Sequence, residues 1–264
     1  MRVSANHERL MRTVRFHYRL GIEFTTIPPV LYHGRSYFPG GNDYLCNEFH
    51  SRISVPVWGC VHNDPGCIEA ASHPLRTWGD VIKFSSECLR AAKELDCKQD
   101  SPYSTGGGGH IHISRRHWYD NTWRGDQRAG ECSARVQAWL THHPWVTWAF
   151  NDPSDNTEAK LGFGAQYNRA ASDASNNVEF RFFDSAVSVE QQIEHVAFAT
   201  RLLKVGSKFP HSPFHIVRLN RPSLKAALAG WKQTIEELAL PWKLYQPYSR
   251  NIRERYQLGR RYLN

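Results

Sequence analysis

What the chain lacks narrows it first. Its six cysteines (Cys46, Cys60, Cys67, Cys88, Cys97 and Cys132) fall at irregular spacings without a Cys-x-x-Cys pair. That excludes a zinc ribbon, and free thiols are the expectation. No segment approaches the ~18–20 uninterrupted apolar residues of a membrane span. The stretch from Met1 to Leu20 mixes Arg and His with polar residues and has no signal-peptide core, so a cytoplasmic protein that is not a membrane protein is expected. No His-Glu-x-x-His or cluster of three histidines is present, which argues against the usual zinc hydrolases. No Gly-Lys-Ser/Thr follows the glycines at 106–109, which argues against a P-loop. Internal repeats and long low-complexity linkers are also missing.

What is present describes a globular chain. Its 264 residues are 41% hydrophobic and 12% aromatic, with nine Trp, enough to bury a sizeable core. The net charge of +8 favours anionic partners, from nucleotides to nucleic acid. Part of it lies in Arg250, Arg253, Arg255, Arg260 and Arg261, read as a solvated basic tail or as a contact for a polyanion or a partner subunit.

Patterning predicts strands at Val14–Thr26, Ile53–Cys60, Gly66–Ser72, His110–Ser114 and Val178–Phe183. Helical spacing runs over Thr77–Leu95 and from Glu131 to about His142, where Pro144 divides the helix from a further turn. Ser188 with Gln191 has capping-box spacing and opens a helix to about Val205. A last amphipathic helix covers Ser223–Leu240. Strands and helices do not alternate regularly, so the expected class is α+β on a mostly antiparallel sheet.

The chemistry-bearing residues occur as Glu23, Asp64 with Glu69, His110 with His112, and Glu179 with Arg181. On a strand, side chains at i and i+2 share a face, so the two imidazoles look into one space, as do Glu179 and Arg181. A His-x-His pair can ligate a metal, bind phosphate, or pack with one hydrogen bond each. The preceding glycines, lacking Cβ, can admit a ligand to the backbone or form a plain hairpin loop. Glu179 and Arg181 sit among Val178, Phe180, Phe182 and Phe183, so they either pair internally or line a cleft. Carboxylates with one imidazole suit Mg²⁺ or Mn²⁺ better than zinc.

Taken together, these stretches resemble the carboxylate–amine ligases of the glutamine synthetase and glutamate–cysteine ligase superfamily, and by size and motif the phage-type COOH–NH2 ligases. Gly108-Gly109-His110-Ile111-His112-Ile113-Ser114 is similar to that family's Gly-x-His-x-His-x-Ser strand. Val178-Glu179-Phe180-Arg181-Phe182-Phe183-Asp184 is similar to its Ile-Glu-x-Arg-Phe-x-Asp strand. Gly21-Ile22-Glu23 resembles the first half of Gly-x-Glu-x-Glu. The segment from Asp64 to Glu69, with Ser72 and Pro74, resembles Asp…Glu-x-x-Ser-x-Pro, and Ala165-Gln166-Tyr167-Asn168 loosely resembles a Tyr-x-x-Asn region.

The resemblance spans roughly residues 20–205 of a single catalytic domain, with 206–264 a helical C-terminal extension carrying the basic tail. It implies a curved, mostly antiparallel sheet with helices outside and the active site in the hollow face. It also implies ATP- and Mg²⁺-dependent amide-bond formation through an acyl phosphate. Glu23, His110 and Glu179 would then hold the metal that bridges the ATP phosphates. Glu69, with Asp64, would hold a second metal. His112 would contact the nucleotide, Arg181 the transferring phosphoryl group, and Tyr167 and Asn168 the substrate. Relatives with this sheet sometimes share sites between subunits, so a homo-oligomer is among the expected partners. One departure matters: the family's second glutamate is Thr25 here, which weakens the second metal site. The alternatives are a nucleic-acid or polyanion-binding protein, a metal-dependent hydrolase, and an inactive protein with the ligase fold.

Overall fold

The computed structural model describes residues 3–15, 19–29, 31–32, 35–36, 43–57, 61–64, 67–98, 109–115, 123–150, 170–174, 176–210 and 222–261. In chain order the elements are α1 (Ala5–Thr13), β1 (Arg19–Thr26), β2 (Leu31–Tyr32), β3 (Arg35–Ser36), α2 (Asp43–Ser51), β4 (His62–Asp64), β5 (Cys67–Ala71), α3 (Trp78–Glu94) and β6 (Ile111–Ser114). They continue as α4 (Trp123–His142), α5 (Trp145–Phe150), β7 (Ala171–Ala174), β8 (Asn177–Phe180), α6 (Val189–Gly206), α7 (Leu224–Glu237), α8 (Trp242–Tyr245) and α9 (Ser249–Arg261).

Six strands form one sheet in the order β4-β5-β1-β6-β8-β7, and every pairing is antiparallel. Strand β1 joins its two halves: residues 19–22 pair with β6, and residues 23–26 pair with β5. The two faces differ sharply. Leu20, Ile22, Phe24, Ile68, Ala70, Ile111, Ile113, Val178 and Phe180 alternate onto one face and are all buried. This face meets helices α3, α4 and α6, which contact strands β1, β6, β7 and β8. The other face carries the polar residues of the motifs. Burying the first face fixes the register, and with it the composition of the second.

Helix α3 begins as its sequence predicts: the Thr77 hydroxyl accepts from Asp80 N, and the Asp80 carboxylate accepts from Thr77 N. Helix α6 opens with the Ser188 hydroxyl accepting from Gln191 N, while Gln191 reaches back to Val187 N. The predicted strand at 53–60 does not form over its described part. Ser54 N and Val55 N donate to the Glu87 carboxylate at 2.5 and 3.0 Å instead of to a ladder, and Val57 makes only an isolated bridge to Ser72. Residues 58–60 lie outside the described segments.

Helix α1 and strand β7 are among the elements that carry no signal read from sequence. Helix α1 is capped by Ser4 and fastened to α6 through His7, whose Nε2 lies 2.8 Å from the Glu194 carboxylate. Strand β7 forms the sheet edge. The basic tail is a packed helix, α9: Ile252 and Arg255 are buried, and Asn251 donates to Ala149 O at 2.9 Å. That overturns the solvated reading for Arg255, although Arg250 and Arg253 are exposed; the side chains of Arg260 and Arg261 lie outside the described residues. The hydrophobic core is continuous from Leu10 to Ile252. Among the described residues, Cys46, Cys67, Cys88, Cys97 and Cys132 are free thiols, and no helix is long and apolar enough to cross a membrane.

Candidate metal centre

The register assembles the site. Gly21 stands opposite His112 and His112 opposite Glu179, while Glu23 N donates to His110 O at 2.9 Å. Residues opposite one another on antiparallel strands project to the same side. Glu23, His110, His112 and Glu179 therefore converge from three strands on the face turned away from the helices, with Arg181 beside them.

Glu23 sits at the centre. Its Oε2 accepts from His110 Nδ1 at 2.5 Å, and its Oε1 accepts from His112 Nε2 at 2.7 Å. Glu179 Oε1 accepts from Arg181 Nη1 and lies 3.3 Å from His110 Nδ1 and 3.9 Å from His112 Nε2. Its Oε2 accepts from the Ser172 hydroxyl at 2.9 Å. Burial pushes the Glu23 carboxyl up, but hydrogen bonds from His110 and His112 outweigh it and hold the group far below the usual carboxylate range. For His112, burial works against the charged ring. The Glu23 hydrogen bond and the charges of Glu23 and Glu179 outweigh it, and the imidazole is raised. Its Nδ1 faces Asn177 Oδ1 at 3.1 Å.

Ligand atoms of Glu23, His112 and Glu179 all lie within 4.8 Å of one another, the one such trio among the described residues. Two carboxylates and an imidazole suit a divalent ion of the Mg²⁺/Mn²⁺ class. The trio has His112 where the sequence motifs imply His110. The His110 ring borders the same space, held by the same Glu23.

The expected second set lies on the neighbouring strands β5 and β4. Glu69 pairs with Thr25, on the same face but outside the trio. Asp64 pairs with Cys67, four residues from Ala71, the partner of Glu23. Asp64 is thus the diagonal neighbour of Glu69 across β4 and β5, while its side chain, like Tyr167 and Asn168, lies outside the described residues. The glycine reading also changes. A Cβ at Gly109 would meet Asp184 O at 2.9 Å, so this glycine admits the 183–185 backbone, to which Gly109 N donates at Phe183 O. Gly106–Gly108 lie outside the described residues.

A cavity of about 410 Å³ adjoins the cluster, lined in part by Arg19, Gly21, Ser72, Ser114, Asn177 and His112. Gly21 keeps it open: opposite the His112 ring it presents no side chain. Asn177, two residues before Glu179, was discoverable by the same i, i+2 rule. Ser172 was not, because its strand went unread. Ser172→Ala is expected to cost about 1–3 kcal/mol, since it strips a buried carboxylate oxygen of its partner. Urea unfolding measures it, and unchanged stability would show that Oε2 has another partner.

Comparisons with known proteins complete the picture. No protein-family model matches the sequence, and no curated protein does. Solved structures do. The chain is similar to a novel glutamine synthase homolog (TM-score 0.55, 14% identity, covering 96% of this chain and 70% of that one). It is similar to GmaS in complex with ADP (TM-score 0.56, 14% identity, 97% and 73% covered). It also matches GmaS without ligand (TM-score 0.59, 12% identity, 96% and 73% covered). The fold is glutamine synthetase-like. Within this glutamine synthetase-like fold, the site lies on the polar sheet face.

Proposed function

We propose that this chain is an ATP- and Mg²⁺-dependent ligase that joins a carboxylate to an amine through an acyl phosphate, of the phage-type COOH–NH2 class its motifs resemble. One observation carries the reading: Glu23, His110, His112, Glu179 and Arg181 converge from separate strands on the open face of a glutamine synthetase-like sheet. A divalent ion held by Glu23, Glu179 and an imidazole would neutralise phosphate oxygens. Phosphoryl transfer asks the protein for positioning and for a cation on the equatorial oxygens. Arg181 supplies that cation in a form that cannot lose its proton. The adjoining cavity, with Ser72, Ser114 and Asn177 on its wall, is of small-molecule size and offers neutral donors and acceptors to a nucleoside.

The test uses ADP, ATP and Mg²⁺ in a thermal-shift assay, then hydroxylamine as surrogate amine with a panel of carboxylates. We expect nucleotide protection that needs Mg²⁺, and hydroxamate formed together with ADP only when acid and hydroxylamine are both present. No Mg²⁺-dependent shift with either nucleotide would sink the reading. Thr25, standing where a second metal carboxylate is expected, favours one alternative, a nucleotide-binding protein that does not ligate. Its signature is full Mg²⁺-dependent protection with no hydroxamate from any acid.

A further inference from the structure

His112 has a partner at each ring nitrogen, and the two partners make opposite demands. Nε2 faces Glu23 Oε1 at 2.7 Å and lies 3.9 Å from Glu179 Oε1, so it is the nitrogen turned into the trio. Nδ1 faces Asn177 Oδ1 at 3.1 Å. A neutral imidazole carries one proton. On Nε2 that proton serves Glu23 and leaves no lone pair there for an ion. On Nδ1 it serves Asn177 and frees Nε2 to ligate. A metal-binding histidine usually donates its other N–H to an oxygen acceptor, which fixes both tautomer and ring orientation.

Strand β8 puts Asn177 where this needs it. Asn177 lies two residues before Glu179, so the two share a face, and His112 stands opposite Glu179. Asn177 is therefore the diagonal neighbour of His112. One strand face supplies both a carboxylate for the trio and an amide for the ring. Asn177 is itself held in the ladder opposite Ala174, beside the β7–β8 turn where Asn176 takes a φ of 67°. The His112 side chain is largely sequestered, at 21% exposure, which strengthens a hydrogen bond within the protein.

Resting on the metal centre of the ligase reading above, we propose that Asn177 is a positioning residue. Through Oδ1 it keeps the imidazole proton of His112 on Nδ1 and the ring in place, so that Nε2 is presented to a divalent ion beside Glu23 and Glu179. Asn177 does this without touching the ion.

The probe is Mn²⁺. Electron paramagnetic resonance of the free ion measures binding, and nitrogen modulation of the bound ion's spin echo reports a coordinated imidazole. For the wild type we expect Mn²⁺ binding with that modulation, and its loss in His112→Gln. Asn177→Leu should bind Mn²⁺ about 10–100-fold more weakly and lose the modulation at saturating Mn²⁺. Asn177→Asp keeps an oxygen acceptor and should restore both. A merely structural role for Asn177 would lower stability in Asn177→Leu but leave the modulation, and that result overturns the assignment. So does an Asn177→Asp that behaves like Asn177→Leu, because the amide NH₂ would then be what Nδ1 requires. Should Asn177→Leu fail to fold, Asn177→Ala carries the same expectation. Modulation that survives in His112→Gln comes from another imidazole and also overturns the assignment. Mn²⁺ binding that Glu23→Gln abolishes upholds the metal centre whatever the Asn177 variants do, so the two failures are separable.

Discussion

Glu23→Gln is expected to abolish Mg²⁺-dependent protection by ADP and to lower ATP-dependent hydroxamate formation at least about 10²-fold. Glu23 touches both imidazoles and belongs to the metal trio. The amide keeps the shape but loses the charge, and its NH₂ faces an imidazole donor, so one of the two bonds is lost or inverted. Stability should shift with pH in a defined way. The folded Glu23 carboxyl lies below its ordinary 4.5, so its bonds stabilise above that value and are lost as pH falls through the folded value. The folded His112 lies above its ordinary 6.5, so its contribution is complete below 6.5 and is lost as pH rises through the raised value. The difference in stability between wild type and Glu23→Gln should therefore peak between pH 4.5 and 6.5. Wild-type Mg²⁺ dependence in the variant would remove Glu23 from the metal centre.

His195→Leu should remove much of the protein's sensitivity to mild acid. His195 is fully buried, stacked on Phe183 at 4.9 Å, edge-on to Phe150 at 5.3 Å and beside Tyr248. Neither ring nitrogen has a hydrogen-bond partner among the described residues. Burial holds the folded imidazole down to about 3, against 6.5 in the open chain. Between those values the unfolded state binds the extra proton, so stability rises with pH and falls on acidification. At pH 5 the loss relative to neutral pH amounts to about 2 kcal/mol. The facing rings carry no charge near neutrality to offset it; burial and the neighbouring Glu194 push Tyr248 further up. Leu keeps similar volume and leaves no polar atom unpaired, so at pH 7 it should be neutral or stabilising. Urea unfolding at pH 7 and pH 5 tests this, and equal losses in both proteins would mean that another group drives the acid response.

Much of the site was legible because strand geometry is short-range. Side chains two residues apart share a face whatever the fold, so His110 with His112 and Glu179 with Arg181 followed from spacing alone. The helix starts at Thr77 and Ser188 were equally local, since a cap depends on residues three positions apart. Elements decided by distant partners were not legible. Residues 53–57 look like a strand until the Glu87 carboxylate takes the N–H groups a ladder would need. Strand β7 exists because β8 offers an edge. The basic tail becomes helix α9 because α5 and α7 give its apolar side a surface.

Residue types and their spacing, then, named the ingredients: two carboxylates, two imidazoles and a guanidinium, each pair committed to one side of its own strand. Which strands lie beside which is a long-range outcome, set by burying the opposite, apolar side of the sheet against α3, α4 and α6. That packing brought Glu23 between His110 and His112 and set Glu179 and Arg181 beside them. Register couples every residue of a strand to its partners at once, and no local stretch of chain carries that information.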